Sequence, residues 1–179
     1  MPKPKMYGQR DIITHEELDE LMIKLPSPIE KSLVSFLYLT GCRIGEALQI
    51  RNRDIEFTDD KMNIRIRTLK TKATLPYRTL WISLDAPYID VINERTQQLT
   101  GPDDLMWPIH YRTFLRRVNA INPNIWPHLF RHTRLTLFAQ KGFNEFQLQR
   151  WTGWVDTRPA KRYVHQSDKL IEKMGDSVD

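Results

Sequence analysis

Two arginines, a histidine and a tyrosine in this chain are of types that could act together on a phosphodiester. Arg43 lies in Gly41-Cys42-Arg43-Ile44-Gly45-Glu46-Ala47-Leu48. His128 and Arg131 lie in His128-Leu129-Phe130-Arg131-His132, and Tyr163 follows Gly153-Trp154 nine positions after the tryptophan. Displacement at phosphorus concentrates negative charge on the non-bridging oxygens. A guanidinium can hold two such oxygens as a planar fork, which suits Arg43 and Arg131. His128 and Arg131 stand at i and i+3 and therefore share a helix face. An imidazole there can donate to the same phosphate or pass a proton. A free tyrosine is only about 0.1% phenolate at neutral pH, so Tyr163 would need positive neighbours and a nearby base to attack. Phenolate is in turn a good leaving group, so a bond from Tyr163 to phosphorus would be readily reversed.

Each residue alone has an ordinary reading. Arg43 is a solvated surface side chain, His128 and Arg131 the basic face of an amphipathic helix, and Tyr163 a packing residue. Glu46 could orient the Arg43 guanidinium or simply sit on a solvated helix face. The Trp154 indole N–H can donate to a phosphate oxygen but cannot transfer a proton, and its ring could equally pack against the helix carrying Tyr163. His132 and His165 carry no evident role.

The elements that must position these residues are largely helical. Thr14 and Glu17 make a capping box before the stripe Leu18, Leu21, Met22, Leu25. Ser27-Pro28 with Glu30 starts a second helix whose core face is Leu33, Phe36 and Leu37, and Gly41 ends it. A third helix carries Ile44, Ala47 and Leu48. The middle of the chain then alternates with period two. Ile55–Phe57, Asn63–Arg67 and Thr79–Ile82 read as strands of a small antiparallel sheet, with a turn at 58–61 and a link from Leu69 to Tyr77. Helical spacing returns with Ile89, Ile92 and Leu99. It continues with Phe114, Leu115, Val118 and Ile121 beside Arg112, Arg116 and Arg117. Helices near 127–140, 144–151 and 157–164 follow, then a tail helix near 167–174.

Composition narrows the class. The 179 residues suit one domain, and 40% hydrophobic with 27% charged residues reads as globular. A net charge of +5 favours a polyanionic partner. The single cysteine, Cys42, excludes a disulfide framework or a cysteine-based zinc site and points to a reducing, cytoplasmic setting. No apolar run reaches membrane-spanning length, and no signal peptide is evident.

In order and spacing, the three segments resemble the tyrosine recombinase (phage integrase) family, and the resemblance spans roughly residues 12 to 174. It implies a mostly α fold with a small antiparallel sheet, the family's catalytic-domain fold. It implies a catalytic set of Arg43, His128, Arg131, Trp154 and Tyr163, with Glu46 in support. Trp154 stands where histidine is commoner in the family. The family's catalytic lysine lies in a turn between two strands. Lys70 and Lys72 both fall in that segment, and Lys70-Thr71 is closer to the family's turn. The implied activity is site-specific cutting and rejoining of double-stranded DNA through a 3′-phosphotyrosine, with no metal or other cofactor. A type IB topoisomerase-like relaxation and a non-catalytic DNA-binding module of the same fold are the alternatives. The resemblance further implies a monomer in isolation and a tetramer on paired sites. Residues 1–12 read as a basic lead-in, 13–165 as the catalytic domain, and 166–179 as a tail helix that docks on a neighbouring protomer. Full-length members usually carry an N-terminal DNA-clamping domain, for which this length leaves no room.

Overall fold

A helix buried on nearly every side runs through the centre of the fold. In the computed structural model, which describes residues 12–69 and 76–165, this is α2 (Pro28–Thr40). Every residue from Ser32 to Thr40 is buried. The sequence pattern suggests one apolar face, because Ser32, Ser35 and Thr40 interrupt the hydrophobic run. Those hydroxyls are instead satisfied inside the core. Ser32 donates to the Pro28 carbonyl at 2.7 Å and accepts from the Trp107 indole at 2.9 Å; Ser35 donates to the Tyr88 carbonyl at 2.7 Å. Thr40 bonds back to the Phe36 carbonyl at 2.7 Å. Hydroxyls satisfied in this way can be buried without a large desolvation cost.

The helix α1 (His15–Lys24) starts at the expected capping box, with Thr14 and Glu17 bonding reciprocally. Leu18, Leu21 and Met22 are buried along it, and Leu25 just past its end. After α2 the short α3 (Ile44–Ala47) leads to β1 (Ile55–Phe57), β2 (Lys61–Arg67) and β3 (Tyr77–Ser83). These pair antiparallel in the order β1-β2-β3. Met62, Ile64, Ile66, Leu80 and Ile82 point into the core, as period two requires. The strands extend past the expected limits. Lys61 pairs with Ser83 and Tyr77 with Arg67, so residues assigned to the turn and the link belong to the ladder.

The helices α4 (Ile89–Gln97), α5 (Tyr111–Ile121), α6 (Pro127–Gln140) and α7 (Glu145–Thr152) complete most of the chain. Leu99 lies past the end of α4. The chain is helical again over 158–165, here α8. Lys70, Lys72, most of the basic lead-in and the tail 166–179 lie outside the described residues. No helix among the described residues is long and apolar enough to cross a membrane.

The interior divides in two. The main core surrounds α2 and includes Leu129 and Phe130 from the first half of α6. A smaller cluster holds Leu135, Ala139, Leu148, Ala160 and Tyr163, with Phe138, Trp154 and Val164 against it. The helix α6 thus ties the two together.

Gly41 fixes how the chain leaves α2. Its φ of +62° is left-handed, and its N–H caps the helix on the Leu37 carbonyl. A Cβ there would stand 2.9 Å from Cβ of Arg134. Gly41→Ala therefore combines backbone strain with a clash on α6. We expect it to cost roughly 1–3 kcal/mol in urea unfolding. Gly45→Ala, whose added Cβ meets only Leu69 at 3.5 Å, should leave the midpoint unchanged or slightly raised.

Candidate active site

Arg43 enters the site because Gly41 turns the chain and α3 begins immediately after it. It occupies the N-cap of α3, with extended backbone at φ −72°, ψ 143°. Glu46, three residues on, reaches back to the Arg43 backbone N–H at 3.1 Å and accepts from Arg43 Nη1 at 3.1 Å. The second partner of Glu46 comes from the sheet. Arg78 donates Nη2 and Nη1 to the two Glu46 oxygens at 2.8 and 3.3 Å and Nε to the Trp151 carbonyl at 3.2 Å. The Glu46 side chain is fully buried. Burial alone would raise its pKa, but the bonds and charges of Arg78 and Arg43 outweigh that and hold it below the usual carboxylate range. Glu46 is thus an orienting group for Arg43, and the solvated-face reading does not apply.

Gly153 makes room for that contact. Its φ is +69°, and it closes α7 by donating to the Gln149 carbonyl at 2.9 Å. A Cβ on it would lie 3.1 Å from Cδ of Arg78. The glycine before Trp154 therefore serves both the turn and the passage of Arg78 toward Glu46.

Arg131 projects from α6 and is only 2% exposed. Its Nη1 donates to the Gly41 carbonyl at 3.0 Å, while Nη2 is buried without a hydrogen-bond partner. Burial, then the nearby Arg43 charge, pushes its pKa down to about 10. A buried guanidinium with an unmet donor is costly unless an anion completes it. Its charge also lies over the Trp154 ring, 5.0 Å from the centroid.

Trp154 in turn stacks on Tyr163, with ring centroids 6.3 Å apart and planes at 19°. Its ring belongs to the small C-terminal cluster. The packing role weighed for it is therefore present, and the same ring links Arg131 to the tyrosine. Tyr163 is 6% exposed, and its hydroxyl lies 2.6 Å from Nδ1 of His132. Cys42, next to Arg43, is no rival nucleophile, because burial pushes its thiol up to about 11.

His128 sits one helical turn before Arg131 and meets His132 edge to face at 5.0 Å. Burial and the charges of His132, Arg131, Arg43 and Arg162 push its pKa down from 6.5 to about 4. At neutral pH it is a neutral imidazole that can still donate one hydrogen bond.

The structure thus brings Arg43, Glu46, His128, Arg131, Trp154 and Tyr163 into one connected group, and leaves Lys70 and Lys72 outside the described residues. The ends of the strands flanking them are placed. Thr68 N–H bonds the Pro76 carbonyl at 2.8 Å, and Leu69 reaches within 3.5 Å of the space beside Gly45. Two partners escaped the sequence reading. Arg78 had a signal, since it falls in phase with the inward Leu80 and Ile82, where a charge must find a partner. His132 is the other. It shares a helix face with His128 at i+4, but nothing in the spacing named Tyr163 as its contact.

The His128 shift gives a pH test. Between pH 6.5 and about 4 the unfolded chain binds a proton that the folded chain refuses, so stability falls as pH drops through that window and levels off below it. His128→Gln should flatten this part of a plot of denaturation midpoint against pH. His128 packs against the site on one side and meets solvent on the other, so the slope is smaller than for a fully buried group.

The sequence model of the phage integrase family matches residues 11–169. A tyrosine recombinase of Thermosipho africanus is 25% identical over 170 residues, covering 89% of this chain and 58% of that protein. XerD of Staphylococcus saprophyticus is 24% identical, covering 88% and 60%. The chain therefore spans about 60% of the length of these curated relatives. Among solved structures, XerA recombinase superposes with a TM-score of 0.69 at 16% identity, over 97% of this chain and 65% of that one. The catalytic domain of bacteriophage HP1 integrase gives 0.66 at 19% identity, over 93% and 94%. The observed helices and three-stranded sheet are the fold of these catalytic domains. Since the family match runs the length of both cores and through every element that carries the site, the chain belongs to the phage integrase family of tyrosine recombinases.

Proposed function

We propose that this chain is the catalytic part of a site-specific DNA recombinase that cuts and rejoins double-stranded DNA through Tyr163. The observation that carries this is the buried Arg131 guanidinium, with Nη2 unpartnered, beside Arg43 and linked through Trp154 to Tyr163. A scissile phosphate is an anion of the right charge to complete that guanidinium.

In this reading Arg43 and Arg131 clamp the non-bridging oxygens, and neutral His128 donates to one of them. The Tyr163 oxygen attacks phosphorus. The bond to the 5′ oxygen breaks, and its electron pair leaves with that oxygen. Lys70 supplies the proton that makes it a 5′ hydroxyl. The product is a 3′-phosphotyrosine. A 5′ hydroxyl from a partner strand reverses each step, so no net bond energy is spent and no metal or other cofactor is called for. The chain acts as a tetramer on paired sites and is monomeric off DNA. Residues 13–165 form the catalytic unit and the tail 166–179 docks on a neighbour. DNA-complex neighbours support the partner: the XerH recombinase bound to its difH substrate superposes with a TM-score of 0.65.

A pool of nicked duplexes with randomised cores tests this whatever the target sequence is. Parent protein should give a covalent adduct on a denaturing gel, with the DNA mapped to Tyr163. Tyr163→Phe should abolish it while leaving DNA binding nearly unchanged. An adduct that persists in that variant would move the nucleophile elsewhere, with Tyr111 the first to check. Arg43→Ala and Arg131→Ala should each slow cleavage by roughly a hundredfold to a thousandfold, as lost transition-state donors do.

The leaving-group assignment has its own test. A bridging 5′-phosphorothiolate departs without protonation. It should restore cleavage by Lys70→Ala and not by Arg43→Ala. Rescue of Lys72→Ala together with full activity of Lys70→Ala would transfer the role to Lys72.

A further inference from the structure

The contact between Tyr163 and His132 is short, and no part of the proposed mechanism uses it. We infer that His132 is the general base that takes the phenolic proton of Tyr163. The inference rests on the reading of Tyr163 as the nucleophile.

Three observations place His132 for this. Its Nδ1 lies 2.6 Å from the Tyr163 hydroxyl, within reach for direct proton transfer. The two rings are tilted by 39° at a centroid distance of 5.8 Å, so the contact comes from side chains packed together. And His132 sits on α6 directly after Arg131 and one turn after His128, so the element that carries the phosphate-binding groups also carries the base. The Tyr163 ring packs among Leu135, Ala139, Leu148 and Ala160, a setting in which losing the phenolic proton calls for an acceptor at the hydroxyl.

The charged and titratable groups around the pair define its behaviour. His128 meets His132 edge to face on α6, Arg162 from α8 has its guanidinium 6.0 Å from the Tyr163 ring centroid, and Arg131 lies over the Trp154 ring that stacks on Tyr163, with Arg43 and Glu46 at the start of α3 beyond it. With the proton on Nε2, neutral His132 presents the Nδ1 lone pair to the hydroxyl. As the bond from Tyr163 to phosphorus forms, the phenolic proton moves to Nδ1 and the electron pair of the broken bond leaves with the 5′ oxygen. The resulting imidazolium then stands beside the phosphotyrosine. When a 5′ hydroxyl attacks in the reverse step, the imidazolium returns its proton to the departing phenolate. His128 is thereby left to its role as phosphate donor, and the two histidines of one helix face divide the work.

The test uses His132→Asn and His132→Ala on the nicked pool with a bridging 5′-phosphorothiolate, where protonation of the leaving group no longer limits the rate. Asparagine keeps an acceptor near the Nδ1 position but cannot take the proton. Both variants should cleave roughly a hundredfold to ten-thousandfold more slowly, with thermal midpoint and DNA binding close to parent for the asparagine form. Their rates should climb steadily with pH, following the phenolate fraction, where parent rates reach a plateau. His132→Asn cleaving at the parent rate, or slower with the parent pH profile, would overturn the inference and make His132 a packing contact. Tyr163→Phe separates the two ideas. If that variant loses the adduct while His132→Asn behaves as parent, only the base is misassigned; if it keeps the adduct, the nucleophile is.

Discussion

The site depends on one buried anion. Glu46 has no exposed side-chain surface, yet it stays ionised because Arg43 and Arg78 hold it from two sides. Each partner would be hard to place without it. Arg43 caps a helix of only four residues, too short to fix a long side chain by packing alone. Arg78 sits on the inward face of β3, in phase with Leu80 and Ile82, where an unpaired guanidinium would cost several kcal/mol. The triad thus locks the sheet, α3 and the end of α7 into one arrangement, with Arg43 turned to the same side as Arg131. Gly153 belongs to this arrangement as well, because its missing Cβ leaves the path that Arg78 takes.

The division of the interior has a consequence for the tyrosine. Tyr163 packs in the small cluster built from the second half of α6, α7 and α8, whereas Arg43 is fixed against the main core. What joins the two sets is α6, together with Trp154 lying between Arg131 and Tyr163. A stacked indole can slide with its neighbours more freely than a directional hydrogen bond allows. The Glu46 triad is held by several directional bonds, while the tyrosine ring sits in a small apolar cluster with its hydroxyl on His132. Displacing α8 would therefore shift Tyr163 and strain its contacts to His132 and Trp154, while the Glu46 bonds that hold Arg43 lie outside that cluster.

Much of this was legible in the sequence, and the reasons are local. The capping box at Thr14 and Glu17, the proline opening α2 and the glycine closing it are signals written within four residues. The alternation of Asn63–Arg67 fixed which residues of β2 face inward. Arg43, His128, Arg131 and Tyr163 could be named because three short motifs occur in the order that the family resemblance implies. What could not be read were contacts between elements distant in sequence. Arg78 reaches Glu46 across 32 positions, and His132 meets Tyr163 across 31. The burial of α2 on all sides was hidden too, since its serines look polar until the carbonyl and indole partners are in place. Trp154 stayed divided between two roles because stacking and hydrogen-bonding leave the same letter in the sequence.

The charge state of the free site points the same way as its geometry. Cations crowd here: Arg131 is pushed down to about 10 and His128 to about 4, in each case by burial first and then by positive neighbours. Such shifts are a cost that the folded chain carries until an anion arrives. A phosphate beside Arg43 and Arg131 would oppose both shifts at once, favouring the charged form of each group, and the buried, unpartnered Nη2 of Arg131 is a donor that such an anion could satisfy. An anion that relieved this crowding would be favoured over neutral ligands of similar shape. An apolar side chain in place of Arg131 would leave no buried donor unpaired, so the guanidinium here is a cost that stability alone does not explain.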